Sequence, residues 1–237
     1  MPSAQQKEID EPLGITDQRQ EDLQSLLNEL RRFNAGNLHS AHGRGVVLFA
    51  EGEPVRGAYI LRSGRVKVSI SSSEGRVVML HIAQAGDILG LNSVLRNDSY
   101  DTTAKTLEPC RTDFIPRAQL IELMQQSGAG AWTVLKILSR ELTELTERAK
   151  LVLLPVTVSE RLAKLLLDWG KGNGSGTSNP VQLDRVLTHE EIAQMICSSR
   201  ETVTRMLATL VRQDVIRVTS DIIVISDRLA LEKLALG

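Results

Sequence analysis

Leu187 to Ile216 runs LTHEEIAQMICSSRETVTRMLATLVRQDVI, and two short helices are written into it. Thr188 followed three residues later by Glu191 is a capping box, a hydroxyl and a carboxylate that each close a free N–H group at a helix start. The first helix therefore opens at Thr188, passes through Ile192 and Met195 and stops at a short turn around Cys197. Ser199 can cap a second helix, whose apolar positions Val203, Met206, Leu207 and Leu210 recur at spacings of three, one and three and so share one face. Two short helices joined by a tight turn form the helix-turn-helix plan.

The residues off that apolar face carry the chemistry. At about 100 degrees per residue, Arg200, Glu201 and Arg205 sit at about 0, 100 and 140 degrees, crowded on one edge near the N-terminal turn. In this motif that end of the helix enters the major groove. A guanidinium can bond both O6 and N7 of guanine, and a carboxylate can accept from the cytosine amine. Ser199 and Thr202 place hydroxyls at the same turn. From Met195 to Ser220 four arginines (200, 205, 212 and 217) face Glu201 and Asp214, a local charge of +2. The plain alternative is a surface helix with a Glu201–Arg205 pair four residues apart, worth a few tenths of a kcal/mol. The surroundings favour the DNA reading, because Ile216, Val218 and then Ile222 to Ile225 make two short strands across Thr219-Ser220-Asp221, the wing of a winged helix-turn-helix.

Upstream, Ala131, Leu135, Leu138, Leu142, Leu145, Ala149 and Val152 step by 4, 3, 4, 3, 4 and 3, an a/d heptad seam with charged residues between. A helix of this kind can lie on its own domain. The strict period, and the need of a DNA-reading helix for a symmetric partner, favour a two-stranded parallel coiled coil that holds a homodimer. Pro155 ends or kinks it, because proline lacks the N–H and clashes with the preceding turn. Thr157 to Trp169 predicts another helix through Leu162, Leu165 and Leu166. Gly170 to Pro180 is expected to be a surface loop; without a preceding strand or a Lys-Ser/Thr ending it is no phosphate cradle.

Between Gly45 and about Ile115 the apolar runs are short, alternate with period two at Val66, Val68 and Ile70 and again at Val78, Leu80 and Ile82, and are broken by glycine about every ten residues. That is the signature of an antiparallel sandwich or barrel. Before it, Leu23, Leu26, Leu27 and Leu30 share a helix face, and residues 1 to about 15 are read as a flexible lead.

Composition narrows the function classes. The chain has 237 residues, 28 Lys and Arg against 29 Asp and Glu, 3% aromatic residues and two cysteines. Few aromatics count against single-strand binding by base stacking. Cys110 and Cys197 cannot by themselves supply a structural zinc or iron–sulfur site, and Cys110 is expected in the core. No stretch approaches the roughly 18 to 20 apolar residues of a membrane span, and Met1 to Asp22 lacks a signal-peptide core, so a cytoplasmic protein without membrane contact is expected. His39, His42, His81 and His189 are scattered without ligand spacing, and no nucleophile–base pair or carboxylate pair forms a common motif. No catalytic or metal site, and no enzyme, is expected.

From about Thr16 to Asp227 the chain resembles the CRP/FNR superfamily of bacterial transcription regulators. Gly52, Gly64, Gly86-Asp87 and Gly90 fall at the glycine positions of its cyclic-nucleotide-binding fold, and Ser199-Arg200-Glu201-Thr202-Val203 with Arg205 is similar to the recognition helix of its CRP branch. The resemblance implies an α+β chain: a flexible lead (1–15), a cyclic-nucleotide-binding-like β-jelly-roll sensor domain (16–128), a dimerisation helix (129–155) and a winged helix-turn-helix DNA-binding domain (156–237). It implies that Arg200, Glu201 and Arg205 read a TGTGA-like half-site of double-stranded DNA, and that Thr157 to Arg161 form the hinge between domains. It also places an effector pocket at Gly90, Leu91, Asp101, Thr102, Thr103 and Thr146. There the family's ribose-binding glutamate is replaced by Leu91 and its phosphate-binding arginine by Asp101, whose charge repels a phosphate. Cyclic AMP in the usual mode is therefore disfavoured. Gly90 and Asn92 stand where haem-binding relatives carry Cys and His, and the N-terminal cysteine cluster of iron–sulfur relatives is absent, so neither group is expected. That leaves a different effector in an altered pocket, such as another second messenger or a metabolite, or binding without one. The region of Gly170 to Pro180 is where relatives touch RNA polymerase, which makes the polymerase an expected partner. A ligand-binding regulatory subunit of a partner protein is the alternative reading, though such a subunit has no use for the Leu187 to Ile225 module.

Overall fold

A computed structural model of the chain describes residues 17–32, 38–96, 98–153, 157–172, 181–184, 187–219 and 222–236. The expected lead, Pro155, most of the glycine-rich loop and Ser220-Asp221 of the wing turn lie outside the described residues.

Helix α1 (Asp17–Arg32) buries Leu23, Leu26, Leu27 and Leu30 along one face, as their spacing requires. Strands β1 (Leu38–His42), β2 (Val47–Phe49), β3 (Gly57–Ser63), β4 (Val66–Ser71), β5 (Val77–Ala83) and β6 (Ile88–Leu89) follow, then the short helix α2 (Leu91–Arg96), β7 (Thr103–Thr106) and β8 (Cys110–Pro116). They pair antiparallel in two four-stranded sheets, ordered β1-β8-β3-β6 and β2-β7-β4-β5, the two layers of a jelly roll. Phe49, Leu61, Val66, Val68 and Cys110 are buried in one core cluster, where Phe49 stacks on Tyr100 at 4.1 Å between ring centres. The Tyr100 hydroxyl donates to the Gly57 carbonyl at 2.7 Å, so this aromatic is tied as well as packed. At the β3–β4 turn Gly64 has φ +88°, and a Cβ there would stand 2.6 Å from the Pro109 carbonyl oxygen. Glycine is the residue that satisfies both conditions.

After α3 (Arg117–Gln126), the 26-residue helix α4 (Gly128–Leu153) packs on α1 and α3. Val134 and Ile137 share a core with Leu26, Leu30, Leu120 and Leu123. Polar contacts fasten the same face: Asp22 accepts from Lys136 (2.9 Å) and Arg140 (2.8 Å), and Ser25 bonds Thr133 at 3.1 Å. The helix therefore has two apolar faces. Its heptad positions Leu135, Leu142 and Leu145 stay exposed at 53%, 66% and 39%, Trp132 beside them at 64%, while Leu138 is half-buried. Ala131 and Ala149 are partly covered.

The remainder comprises α5 (Val158–Gly172), β9 (Val181–Asp184), α6 (His189–Met195), α7 (Arg200–Arg212), β10 (Ile216–Val218), β11 (Ile222–Ile225) and α8 (Arg228–Leu236), with one antiparallel sheet ordered β10-β11-β9. Leu162, Leu166, Ile192, Val203, Leu207, Ile223 and Leu231 make its core, which Leu107 and Ile82 of the β layers join. Two expectations are adjusted. Helix α5 continues past Trp169 to Gly172, so Gly170 and Gly172 are helical rather than loop; a helical glycine costs only about 1 kcal/mol relative to alanine, and the packed face outweighs it. The wing has a third strand, β9, which the residues around Val181 did not announce.

Candidate nucleic-acid interface

The turn between α6 and α7 is built by capping. Thr188 Oγ1 accepts from the Glu191 backbone N–H at 3.2 Å, and the Thr188 N–H donates to the Glu191 carboxylate at 2.8 Å. Helix α6 is closed by the Ser198 N–H donating to the Ala193 carbonyl at 2.9 Å, with Cys197 at φ +50°. Ser199 Oγ then accepts from the Thr202 N–H at 3.2 Å and starts α7. Val203, Leu207 and Leu210 are at most 4% exposed, with Met206 partly buried, and they set the rotation of the helix. Everything at the opposite angle is pushed into solvent.

Arg200, Glu201 and Arg205 are exposed as a result, with Ser199 exposed and Thr202 partly covered. Among the described residues, none of the three charged side chains makes an ion pair or a side-chain hydrogen bond, so the alternative Glu201–Arg205 pair is not formed. Arg212 and Arg217 are also exposed and extend the positive edge toward the wing. The positive end of the α7 dipole points out of the same turn. Donor-rich guanidiniums, one acceptor carboxylate and an exposed helix start suit the donor and acceptor pattern of a major groove.

Thr204 was not among the residues singled out above. Its hydroxyl donates to the Arg200 carbonyl at 2.9 Å, so it accepts from His189 Nδ1 at 2.9 Å. This contact joins the two helices at the recognition edge. Only Thr204 had a sequence signal, its angle of about 40 degrees between Arg200 and Glu201.

The effector-pocket residues lie around α2, apart from Thr146. Gly90 has φ +77°, and a Cβ there would meet the Tyr100 ring at 2.9 Å. Leu91 is 1% exposed. The Asp101 carboxylate accepts from Asn92 Nδ2 at 2.7 Å and from Ser93 Oγ at 2.8 Å, with Arg96 at 4.0 Å. Thr102 is partly covered, and Thr103 Oγ1 accepts from the Glu51 N–H at 3.0 Å. Thr146 is exposed on α4, where its hydroxyl donates to the Leu142 carbonyl at 2.8 Å; among the described residues no hydrogen bond joins it to the α2 group. Among the described residues no cluster of His, Cys, Asp and Glu could hold a metal, and no helix is long and apolar enough to cross a membrane.

The Cyclic nucleotide-binding domain family matches residues 42–127, and the Crp-like helix-turn-helix domain family matches residues 160–234. A CRP-like cAMP-activated global transcriptional regulator of Mycobacterium tuberculosis (strain CDC 1551 / Oshkosh) is 32% identical over 78% of this chain and 82% of its own length. An Anaerobic regulatory protein of Bacillus subtilis (strain 168) is 28% identical over 72% of each. The structure of FixK2 from Bradyrhizobium japonicum shares the fold at a TM-score of 0.72 and 20% identity, covering 84% of this chain and 97% of that one.

Proposed function

This chain belongs to the CRP/FNR family of transcription regulators and binds DNA, and on that premise we propose that it acts as a homodimer reading TGTGA-like half-sites of a palindromic duplex. The observation that carries this reading is the bare edge of α7, where Arg200, Glu201 and Arg205 are exposed and unengaged while the opposite face is locked in the core. The arginines bond guanine O6 and N7, Glu201 accepts from cytosine, and Ser199 and Thr202 present hydroxyls to the backbone. The partner helix must lie about 34 Å away to enter the next major groove on the same side. Leu135, Leu138, Leu142, Leu145, Ala149 and Val152 of α4 supply that symmetry by packing against their copies.

The β layers with α1 to α3 act as the sensor, up to about residue 128. The helix of residues 129–155 carries its state to the DNA-binding part from about 156 onward, through the hinge at Thr157 to Arg161. The effector, if one binds at Gly90, Leu91, Asp101, Thr102, Thr103 and Thr146, is not cyclic AMP in the usual mode. Asp101 carries the same charge as a phosphate and already accepts from Asn92 and Ser93. The region of Gly170 to Pro180 faces RNA polymerase, and the work is done in the cytoplasm without catalysis. The test is a selection of bound sequences from random duplex DNA, with and without candidate nucleotides. An enriched palindrome with TGTGA-like arms supports the reading; failure to enrich any palindrome under either condition refutes it.

A further inference from the structure

The hydroxyl of Thr204 is spent on the protein, and that decides what this side chain offers to DNA. Its one proton goes to the Arg200 carbonyl at 2.9 Å, and its oxygen faces α6, where it accepts from His189 Nδ1 at 2.9 Å. Threonine carries two heavy groups on Cβ, and these two bonds fix its rotamer. With Oγ1 turned to the helix backbone and to α6, the methyl group Cγ2 is what remains for a groove. Thr204 is exposed, and so is Ala208 one turn on, whose side chain is a single methyl, so this strip of α7 admits a close approach.

Its place on the helix indicates the base. At about 100 degrees and about 1.5 Å per residue, Thr204 stands at about 40 degrees, between Arg200 at about 0 and the pair Glu201 and Arg205 at about 100 and 140, and about 6 Å along the axis from Arg200. A contact from Thr204 therefore falls on the base pair between the one that Arg200 reads and the one that Glu201 and Arg205 read. Of the four bases, thymine presents a methyl group in the major groove, and a threonine methyl packs against it. We propose that Thr204 reads the thymine between the two guanines of each TGTGA-like half-site, methyl against methyl, with its hydroxyl held away by Arg200 and His189. This rests on the half-site reading above and adds a fourth base-reading residue to the three charged ones.

The test places deoxyuridine, which lacks only that methyl, at each thymine of the selected duplex in turn, and measures binding of the full-length protein, Thr204→Ser and Thr204→Val by fluorescence anisotropy. Serine keeps the hydroxyl with its two bonds and removes the methyl; valine keeps a methyl and removes the hydroxyl. Uracil between the two guanines should weaken the parent about fourfold in one half-site and about 15-fold in both, the worth of one buried methyl group per half-site. Thr204→Ser should bind the thymine and uracil duplexes alike, at the parent's affinity for uracil, while Thr204→Val keeps the penalty. A parent indifferent to uracil at this position, or an equal penalty in the parent and Thr204→Ser, overturns the contact. A penalty that Thr204→Val loses also overturns it, since the hydroxyl is then the reader. Should a variant fail to fold, the parent alone decides by whether the central uracil costs it affinity. A selected site without TGTGA-like arms refutes the half-site reading by itself, and the scan still decides Thr204: one uracil penalty cancelled by Thr204→Ser upholds the methyl contact, and none overturns it. A protein that prefers no sequence refutes both.

Discussion

Leu142→Gln is the perturbation that most cleanly separates a helix serving its own domain from a helix serving a partner. Leu142 is 66% exposed in the single chain, one heptad after Leu135 at 53%, and does not belong to the core that Val134 and Ile137 share with α1 and α3. Fully burying a leucine is worth about 1.5–3 kcal/mol. Two-thirds of that remains to be gained at Leu142, about 1–2 kcal/mol, and a symmetric interface counts it twice, about 2–4 kcal/mol. At about 1.4 kcal/mol per tenfold, dimerisation of Leu142→Gln should be roughly 30- to 700-fold weaker. Glutamine keeps a helix propensity close to that of leucine, so α4 itself should survive. Sedimentation equilibrium over a range of concentrations measures the dissociation constant, circular dichroism checks the fold, and Glu147→Gln, off the stripe, should leave the constant unchanged. A parent that stays monomeric, or a Leu142→Gln dimer as tight as the parent, refutes the assignment of this face.

Arg200→Ala should weaken binding to the selected palindrome by about 1–3 kcal/mol and leave random duplex nearly unaffected in a competition gel shift; equal losses on both exclude base reading by this residue. Ser199→Ala removes the acceptor for the Thr202 N–H and should lower thermal stability by about 0.5–2 kcal/mol, with an unchanged Tm contradicting the capping role. Burial, with Arg148 and Arg19, holds the His81 imidazole down to about 3 from its ordinary 6.5, so the unfolded chain takes up the proton first and stability is lost as pH falls below 6.5. Glu141 acts oppositely between its ordinary 4.5 and about 8, where stability falls as pH rises. In Glu141→Gln protein the His81 slope, at most about 1.4 kcal/mol per pH unit, should therefore appear in melts between pH 6.5 and 5, and adding His81→Gln should abolish it. Persistence of the slope in the double variant rules His81 out as its source.

The elements legible in the sequence were those marked twice. Thr188 and Glu191 signal the start of α6 by chemistry, and Ile192 confirms its rotation by burial. Ser199 does the same for α7. Strand β1, LHSAH, has neither β-branched residues nor a clean alternation, and α2 is a six-residue helix; pairing with β8 and packing under β3 make them, and neither leaves a local trace. Helix α3 begins at Arg117, with Pro116 in the N-cap position and no side-chain cap. On α4 the heptad spacing of Leu135, Leu142 and Leu145 was plain, while the second apolar face through Val134 and Ile137 was hidden, because two stripes on one helix blur each other's period.

The recognition edge was legible because Arg200, Glu201 and Arg205 stand at angles that a helix alone dictates. The bond of His189 to Thr204 spans fifteen residues and exists only once α6 and α7 are packed. At α2 the sign of Asp101 could be read, but its partners Asn92 and Ser93 depend on how α2 folds back.

The mass of the complex on a selected palindromic duplex, measured by native mass spectrometry, tests the central reading most directly. The expected result is two chains on one duplex, with Arg200→Ala lost from that duplex and Leu142→Gln binding at much higher concentration. A single chain per duplex, bound as tightly as to a duplex carrying one half-site, contradicts it.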